Sequence, residues 1–395
     1  MNDVKAQMID QETIQKFDAT SSKGIDEGLE FLRAQFLNSG QYHRLFDVLK
    51  MKTRRNLGLS LLHSQSEPTL DEATQIKLQD GLLDACREVA KLHFDEGNIN
   101  DGWVYLQPLG DEPFARELVE KLEITDDNFG AIVEVAFNNG VSPEHGYRVM
   151  LQRSGTCNGI TAFDVHAMQF DRETVSNLAS ILLNHFYSEI LVNVIEHVKK
   201  VKGETLETAS LTELLQQHDW LVREGGHHAD ATHLASVIRI ARNVNTAEDH
   251  ERALSLACYG CRLSEDFQFA SDPPFESIYQ DHRIWFEALS GQNVDAAIKH
   301  FASKAEEAQG QYHETSAAEA LVDLQIRTDR RDHAVSSAVK LLLGKIETED
   351  LPPSAFEIAK SPSQFDRIAE AFRERENFAG YAFAKLCEAE SKSNP

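Results

Sequence analysis

The sequence predicts an all-α protein, a superhelix of helical hairpins interrupted by an irregular, histidine-rich helical middle region. Apolar residues recur at i, i+3 and i+4 from about residue 25 to 390, the spacing that puts them on one face of a helix. No window alternates apolar and polar residues between Asn-Gly or Asp-Gly turns, so strands are not expected. The 10 prolines are sparse and fall between the periodic segments, for example at Pro68, Pro143, Pro273, Pro274, Pro352, Pro353 and Pro362. That is how proline punctuates helices.

The segment GIDEGLEFLRAQFLNSG reads as a helix from near Asp26 to Gly40, and YHRLFDVLKMKTRRNLGLSLL as its antiparallel partner across a short connection. After the polar break HSQSEPTL, residues 71 to 95 form a long helix. SPEHGYRVMLQ opens another, with a cap at Ser142, proline at the first helical position and Glu144 in the first turn. The longest pattern spans 172 to 200 and is apolar on most of its circumference, so a central buried helix is expected there. FDRIAEAFRERENFAGYAFAKLC reads as a terminal hairpin turning at Arg375, Glu376 and Asn377.

In HFDEGNINDGWVYLQPL, the residues Phe94, Gly97, Ile99, Gly102, Tyr105 and Leu106 resemble the middle of a tetratricopeptide (TPR) unit, where a small turn joins two helices. The shape returns with Gly291, Ala297 and Phe301, and again with Ala334 and Ala338. Ala297 and Ala334 are 37 residues apart, close to the TPR period of about 34. The resemblance implies a TPR-like superhelix with a concave face, and small residues at its helix crossings. Residues 140 to 272 do not follow the period. The expected organisation is therefore N-terminal hairpins with one TPR-like unit over 1–140, a His-rich central region over 141–272, and C-terminal TPR-like hairpins over 273–395.

A hydrophobic content of 42% fills a substantial core in a chain of 395 residues. The balance of 39 basic against 64 acidic residues gives a net charge of −25, which repels nucleic acid and anionic lipid. Five scattered cysteines, Cys86, Cys157, Cys258, Cys261 and Cys387, do not make a disulfide framework. The N-terminus lacks a basic and then apolar leader, and no uninterrupted run approaches the roughly 18 to 20 apolar residues of a membrane span. A cytoplasmic protein is expected, with no nucleic acid and no membrane among its partners.

Nine of the 16 histidines lie between 145 and 250. In HDWLVREGGHHADATHLASVIRIARN two glycines precede His227 and His228, and Asp230 stands three residues before His233, so a helix starts at Asp230. One reading makes Asp230 an N-cap, His233 a first-turn residue and the glycines a loop. The other makes His227, His228 and His233 imidazole ligands of a divalent transition metal, with Asp230 or Glu224 as carboxylate ligand or orienting group. Within the long apolar helix His185, Glu189, Asn193 and Glu196 stack as one polar stripe. That stripe faces either solvent or a polar cavity to which Asp164 and His166 contribute. Arg223 joins the candidate ligand-binding set. Cys258 and Cys261 form a lone C-x-x-C without the second pair of a zinc site. The aromatics Phe267, Phe269, Phe275, Tyr279, Trp285 and Phe286 pack helical layers or line one wall of a pocket.

Two functions follow. The first is a helical-repeat binding protein whose polar concave face holds a protein segment or small ligand. The alternative is a metal-dependent enzyme, hydrolytic or oxidative, with its site where Asp230 faces the stripe from His185 to Glu196. Convergence of His185, Glu189, His227, His228, Asp230 and His233 is the geometric expectation common to both.

Overall fold

The computed structural model describes residues 11–64, 68–110, 112–203, 210–225, 227–343 and 355–393, with the side chains of 223–225 outside that set. Among the described residues the secondary structure is helical, as the apolar spacing requires. The chain divides into two compact units, one up to Arg153 and one from Ser154 on.

The first unit holds α1 (Gln11–Ser21), α2 (Ile25–Asn38), α3 (Tyr42–Asn56), α4 (Glu72–Asp95), α5 (Ile99–Leu106), α6 (Glu112–Glu120) and α7 (Phe129–Val133). Helix α8 (Pro143–His166) carries Gly155 at φ 75° and ψ 179°, a break in the helix just after the unit boundary. The second unit continues with α9 (Arg172–Lys202), α10 (Leu211–Gln217), α11 (Ala231–Ile240), α12 (Ala247–Gly260), α13 (Ile278–Leu289), α14 (Val294–Glu307), α15 (Glu314–Arg327), α16 (Arg331–Leu341), α17 (Ala355–Ile358), α18 (Pro362–Glu374) and α19 (Phe378–Ser393).

Helices α2, α4, α13, α15 and α18 end in the same turn. A residue in the left-handed region follows each: Gly40 (φ 67°), Gly97 (φ 76°), Gly291 (φ 77°), Asp329 (φ 59°) and Glu376 (φ 57°). The next amide then donates back to the carbonyl five residues earlier: Gln41 to Phe36 (2.9 Å), Asn98 to His93 (2.9 Å), Gln292 to Glu287 (2.8 Å), Arg330 to Gln325 (2.7 Å) and Asn377 to Phe372 (3.0 Å). This is the Schellman closure, which satisfies carbonyls that a helix end leaves open. It reverses the chain in two or three residues, and the helix that follows packs on the one just completed.

Close approach at these hairpins needs small residues. A Cβ on Gly102 would sit 2.5 Å from the Phe94 ring, and one on Gly380 would sit 2.4 Å from the Phe372 ring. Ala297 and Ala334 are likewise fully buried. In the first unit Leu45, Val89, Phe94, Ile99 and Leu106 form the core between α3, α4 and α5.

Helix α9 organises the start of the second unit. Asp171 caps it, accepting from the Thr174 amide at 2.7 Å. Leu178, Leu182, Phe186, Ile190, Val194 and Val198 form one stripe at i, i+4 spacing, each fully buried, and the helix contacts α10, α11 and α12. It is not buried all round as the sequence suggested, for Val192 and Val201 are exposed on other faces. By length and composition α9 could cross a membrane, and 39% of its apolar window is buried inside the fold. Asn184, His185, Glu189 and Asn193 interrupt the apolar run without lowering the window's mean hydropathy below 1.4. A polar clip fixes α9 to α12. The Asp249 carboxylate, 3% exposed, accepts from Ser180 (2.8 Å), Asn184 (3.0 Å) and Thr246 (2.8 Å). Every recorded contact of that buried charge is a hydrogen-bond donor, the condition under which burying it is tolerable.

Leucine in place of Gly102 or Ala297 must overpack a crossing, so each variant is expected to lose about 1–3 kcal/mol. Urea unfolding measures it, and midpoints equal to wild type for both would mean that neither crossing is close.

Candidate functional site

The His-rich segment forms its site at the N-terminal end of α11. Asp230 stands at φ −60° and ψ 124°, and its Oδ1 accepts from the amides of Thr232 (2.8 Å) and His233 (3.2 Å). The carboxylate is thereby occupied as an N-cap, and the Thr232 hydroxyl, which also donates to Oδ1 at 2.5 Å, followed by those amides, holds its pKa below the ordinary carboxylate value. Helix α11 lies against α9, α12 and α13, and its cap sets the preceding loop between them.

In that loop His228 is the anchored residue. Its backbone amide donates to the Tyr259 hydroxyl at 2.9 Å, and its Nδ1 lies 2.9 Å from the same oxygen. Its Nε2 lies 2.8 Å from Nδ1 of His197, and Asn193 donates to its carbonyl at 2.8 Å. One assignment gives both the tyrosine and the His228 proton an acceptor: Tyr259 O–H donates to His228 Nδ1, and His228 Nε2–H donates to His197 Nδ1. The result is a directed chain from α12 through the loop to α9. Trp220 packs edge-on against His197 at 5.2 Å. Burial, and after it the neighbouring His197 and His227, push the His228 pKa down to about 4, so the ring is neutral at pH 7. The Tyr259 hydroxyl is raised to about 12 by its own burial.

The expected convergence is not made by His185 and Glu189; α9 meets the loop about two turns further along instead. Asn193 and His197 meet the loop, whereas His185 and Glu189 make no hydrogen bond to His227, His228, Asp230 or His233 among the described residues. Glu189 is exposed and accepts from Thr156 at 3.0 Å, and His185 is half-buried. His227 is exposed with its ring 5.2 Å from Phe267, and His233 is half-buried in the first turn of α11. Asp164 pairs with Arg239, at 2.9 and 2.7 Å, at the opposite end of α11, and His166 is half-buried near it in sequence. The side chains of Arg223 and Glu224 lie outside the described residues. No group of three or more His, Cys, Asp or Glu side chains stands in metal-holding geometry among the described residues. His227, His228 and His233 are thus not gathered as a ligand set: the imidazole of His228 is spent on Tyr259 and His197, and the carboxylate of Asp230 on the helix cap.

The C-terminal end of α11 holds a second polar group. Arg242 donates its Nε to the Arg239 carbonyl at 3.2 Å and lays its guanidinium over Phe275, 4.4 Å from the ring centroid. On Phe275 also stacks His282, 4.3 Å away, 1% exposed and bonded through Nδ1 to the Ile278 carbonyl at 2.6 Å. Burial, and then the charges of Arg242 and Arg239, push the His282 pKa down to about 3. Arg327 of α15 spends its guanidinium on the carbonyls of Arg242 and Val244 and on His250 Nε2, with Asp323 at 3.6 Å. Phe275 was legible as a possible pocket wall. Arg242 gave no signal, because IRIARN reads only as a helix end.

No family model matches the chain, and no curated protein or solved structure resembles it at a significant level.

His228 and His282 are kept neutral in the fold but accept protons near pH 6.5 when unfolded. The stability they contribute is complete above that pH and is lost as the pH falls toward their folded values, about 4 and about 3. The melting temperature should therefore decline from pH 7 to pH 4.5, with a shallower slope in His228→Gln than in wild type. Parallel slopes would show that His228 protonates equally in both states.

Proposed function

We propose that this chain is a binding protein, a superhelix of TPR-like hairpins whose second unit holds a protein segment or small ligand where α9 meets the His227–Asp230 loop. What carries the reading is the anchoring of that loop. A glycine-rich connection costs conformational entropy to immobilise, yet Tyr259, His197 and Asn193 together fix His228 in one position. The side chains left outward beside it are polar and accessible: exposed His227 and, along α9, exposed Glu189 and Glu196. Groups held rigid by a second layer of hydrogen bonds bind with less ordering cost than mobile ones. The repeated Schellman turns support the hairpin architecture, since stacked hairpins of this type build an extended binding surface. A net charge of −25 favours cationic groups on the ligand and opposes nucleic acid. A cytoplasmic site of action fits this composition.

Thermal-shift screening of the untagged chain against metabolite and peptide libraries tests the proposal. A ligand should stabilise wild type, be recovered chemically unchanged, and lose roughly tenfold or more in affinity in Tyr259→Phe, which frees the loop without removing the aromatic packing. Equal affinity in the two proteins would place the ligand elsewhere. A stoichiometric transition metal in the purified protein, together with turnover of the ligand, would favour the metal-dependent enzyme instead.

A further inference from the structure

We propose that the C-terminal end of α11 is a separate binding site for an oxyanion, a carboxylate or phosphate group, with Arg242 as its anchor, Arg239 beside it and Phe275 as its floor.

The argument starts from what Arg242 does and does not use. Its Nε caps the end of α11 by donating to the Arg239 carbonyl, a common structural task for a cation near a helix C-terminus. That task leaves both Nη groups, and no carboxylate lies within 4.0 Å of them among the described residues. Stacking on Phe275 fixes the plane of the guanidinium, so the unspent donors have a set direction. The side chain is only partly accessible, and burial followed by the charge of Arg239 pushes its pKa down to about 10 against the opposing charge of Asp323. A desolvated cation with no carboxylate in contact is unfavourable in the free protein even with Asp323 acting on it from further off, and a bound oxyanion relieves it.

Neighbouring arginines show the contrast. Arg327 is consumed by two carbonyls, His250 and Asp323. Arg252 bonds Glu248 and Asn184, and Arg262 bonds the Leu215 carbonyl. Arg239 gives one Nη to both oxygens of Asp164, and its other Nη makes no hydrogen bond among the described residues. The charge of Arg172, at the start of α9, also reaches this region, because it acts on Asp323 together with Arg327 and Arg242. In a protein of net charge −25, arginines concentrated at one helix end, one of them with no carboxylate in contact among the described residues, mark the place where an anion is taken. The planar fork of a guanidinium matches two oxygens of a carboxylate or phosphate.

This site does not depend on the loop anchored by His228, at the other end of α11. Its test is arginine modification of the intact full-length chain with phenylglyoxal, mapped by mass spectrometry, in acetate, in inorganic phosphate and in chloride at equal ionic strength. Exposed Arg373 is the internal control. Either oxyanion should slow modification at Arg242 by about fivefold or more, leave Arg373 within about twofold, and be ineffective when replaced by chloride. Acetate stronger than phosphate identifies a carboxylate ligand, and the reverse order a phosphate. Equal rates in all three salts overturn the proposal, and so does an Arg242 that resists the reagent in chloride, since it would then be closed to ligands. Arg242→Lys supplies a second reading: it keeps the charge but not the fork, and should lose most of the saturable oxyanion-induced thermal shift, whereas Tyr259→Phe should keep it. An Arg242→Lys protein that retains the full shift also overturns the proposal.

Discussion

The fold rests on how its helices stop. An α-helix leaves its last carbonyls without partners, and a helix that ends against another must satisfy them within a few residues. Here the 6→1 Schellman bond does so at α2, α4, α13, α15 and α18, and the same left-handed residue that makes the bond possible also reverses the chain. Because the reversal is so short, the next helix must run along the previous one, and its first turns come close enough to require Gly102 or Gly380 at the crossing. The turn thus determines the packing partner. Apolar burial in stripes such as Leu178 to Val198 then provides most of the stabilisation, at about 25 cal/mol for each Å² removed from water.

Much of this was legible in the sequence, and the reasons differ by residue. Gly40, Gly97 and Gly291 announce a positive φ, because glycine reaches the left-handed region without steric cost. Asp329 and Glu376 adopt the same conformation at a cost of roughly 1–2 kcal/mol and carry no such mark, so their turns could be placed only by the periodicity around them. Asp230 was readable as a cap because a side-chain oxygen at that position meets amides two and three residues on, a purely local geometry. The all-helical class followed from spacing alone.

The candidate site was less legible because its contacts are long-range. A polar stripe at His185, Glu189, Asn193 and Glu196 is a correct description of one side of α9, but which turn of that stripe meets the His227–Asp230 loop depends on tertiary docking. The helix advances 100° per residue, so Glu196 points to solvent while His197, its neighbour, bonds His228. Tyr259 was invisible as a participant, being a buried aromatic that happens to direct its hydroxyl at a loop from another helix. For the same reason, counting histidines overstated the metal site: imidazoles bonded to one another and to a tyrosine are no longer available as ligands.

Satisfied and unsatisfied polar groups then separate structural from functional roles. Asp249 is buried and its hydrogen bonds are all made inside the protein, so it needs nothing more to explain it than the joining of α9 to α12. His228 is also well bonded, but what it holds still is a loop with exposed His227 and Asp230, and the proposed binding role rests on that rigidity. Arg242 stands at the far end of this series, for its charge is desolvated and its Nη donors are left over after its structural task. The cap and the stacking on Phe275 account for its Nε and its plane, but not for the desolvation of the remaining donors, which a well-packed apolar side chain would avoid. Helix α11 therefore carries at one end polar groups that the protein uses up, and at the other a desolvated cation with no carboxylate in contact among the described residues, which is why the proposed oxyanion site is placed there.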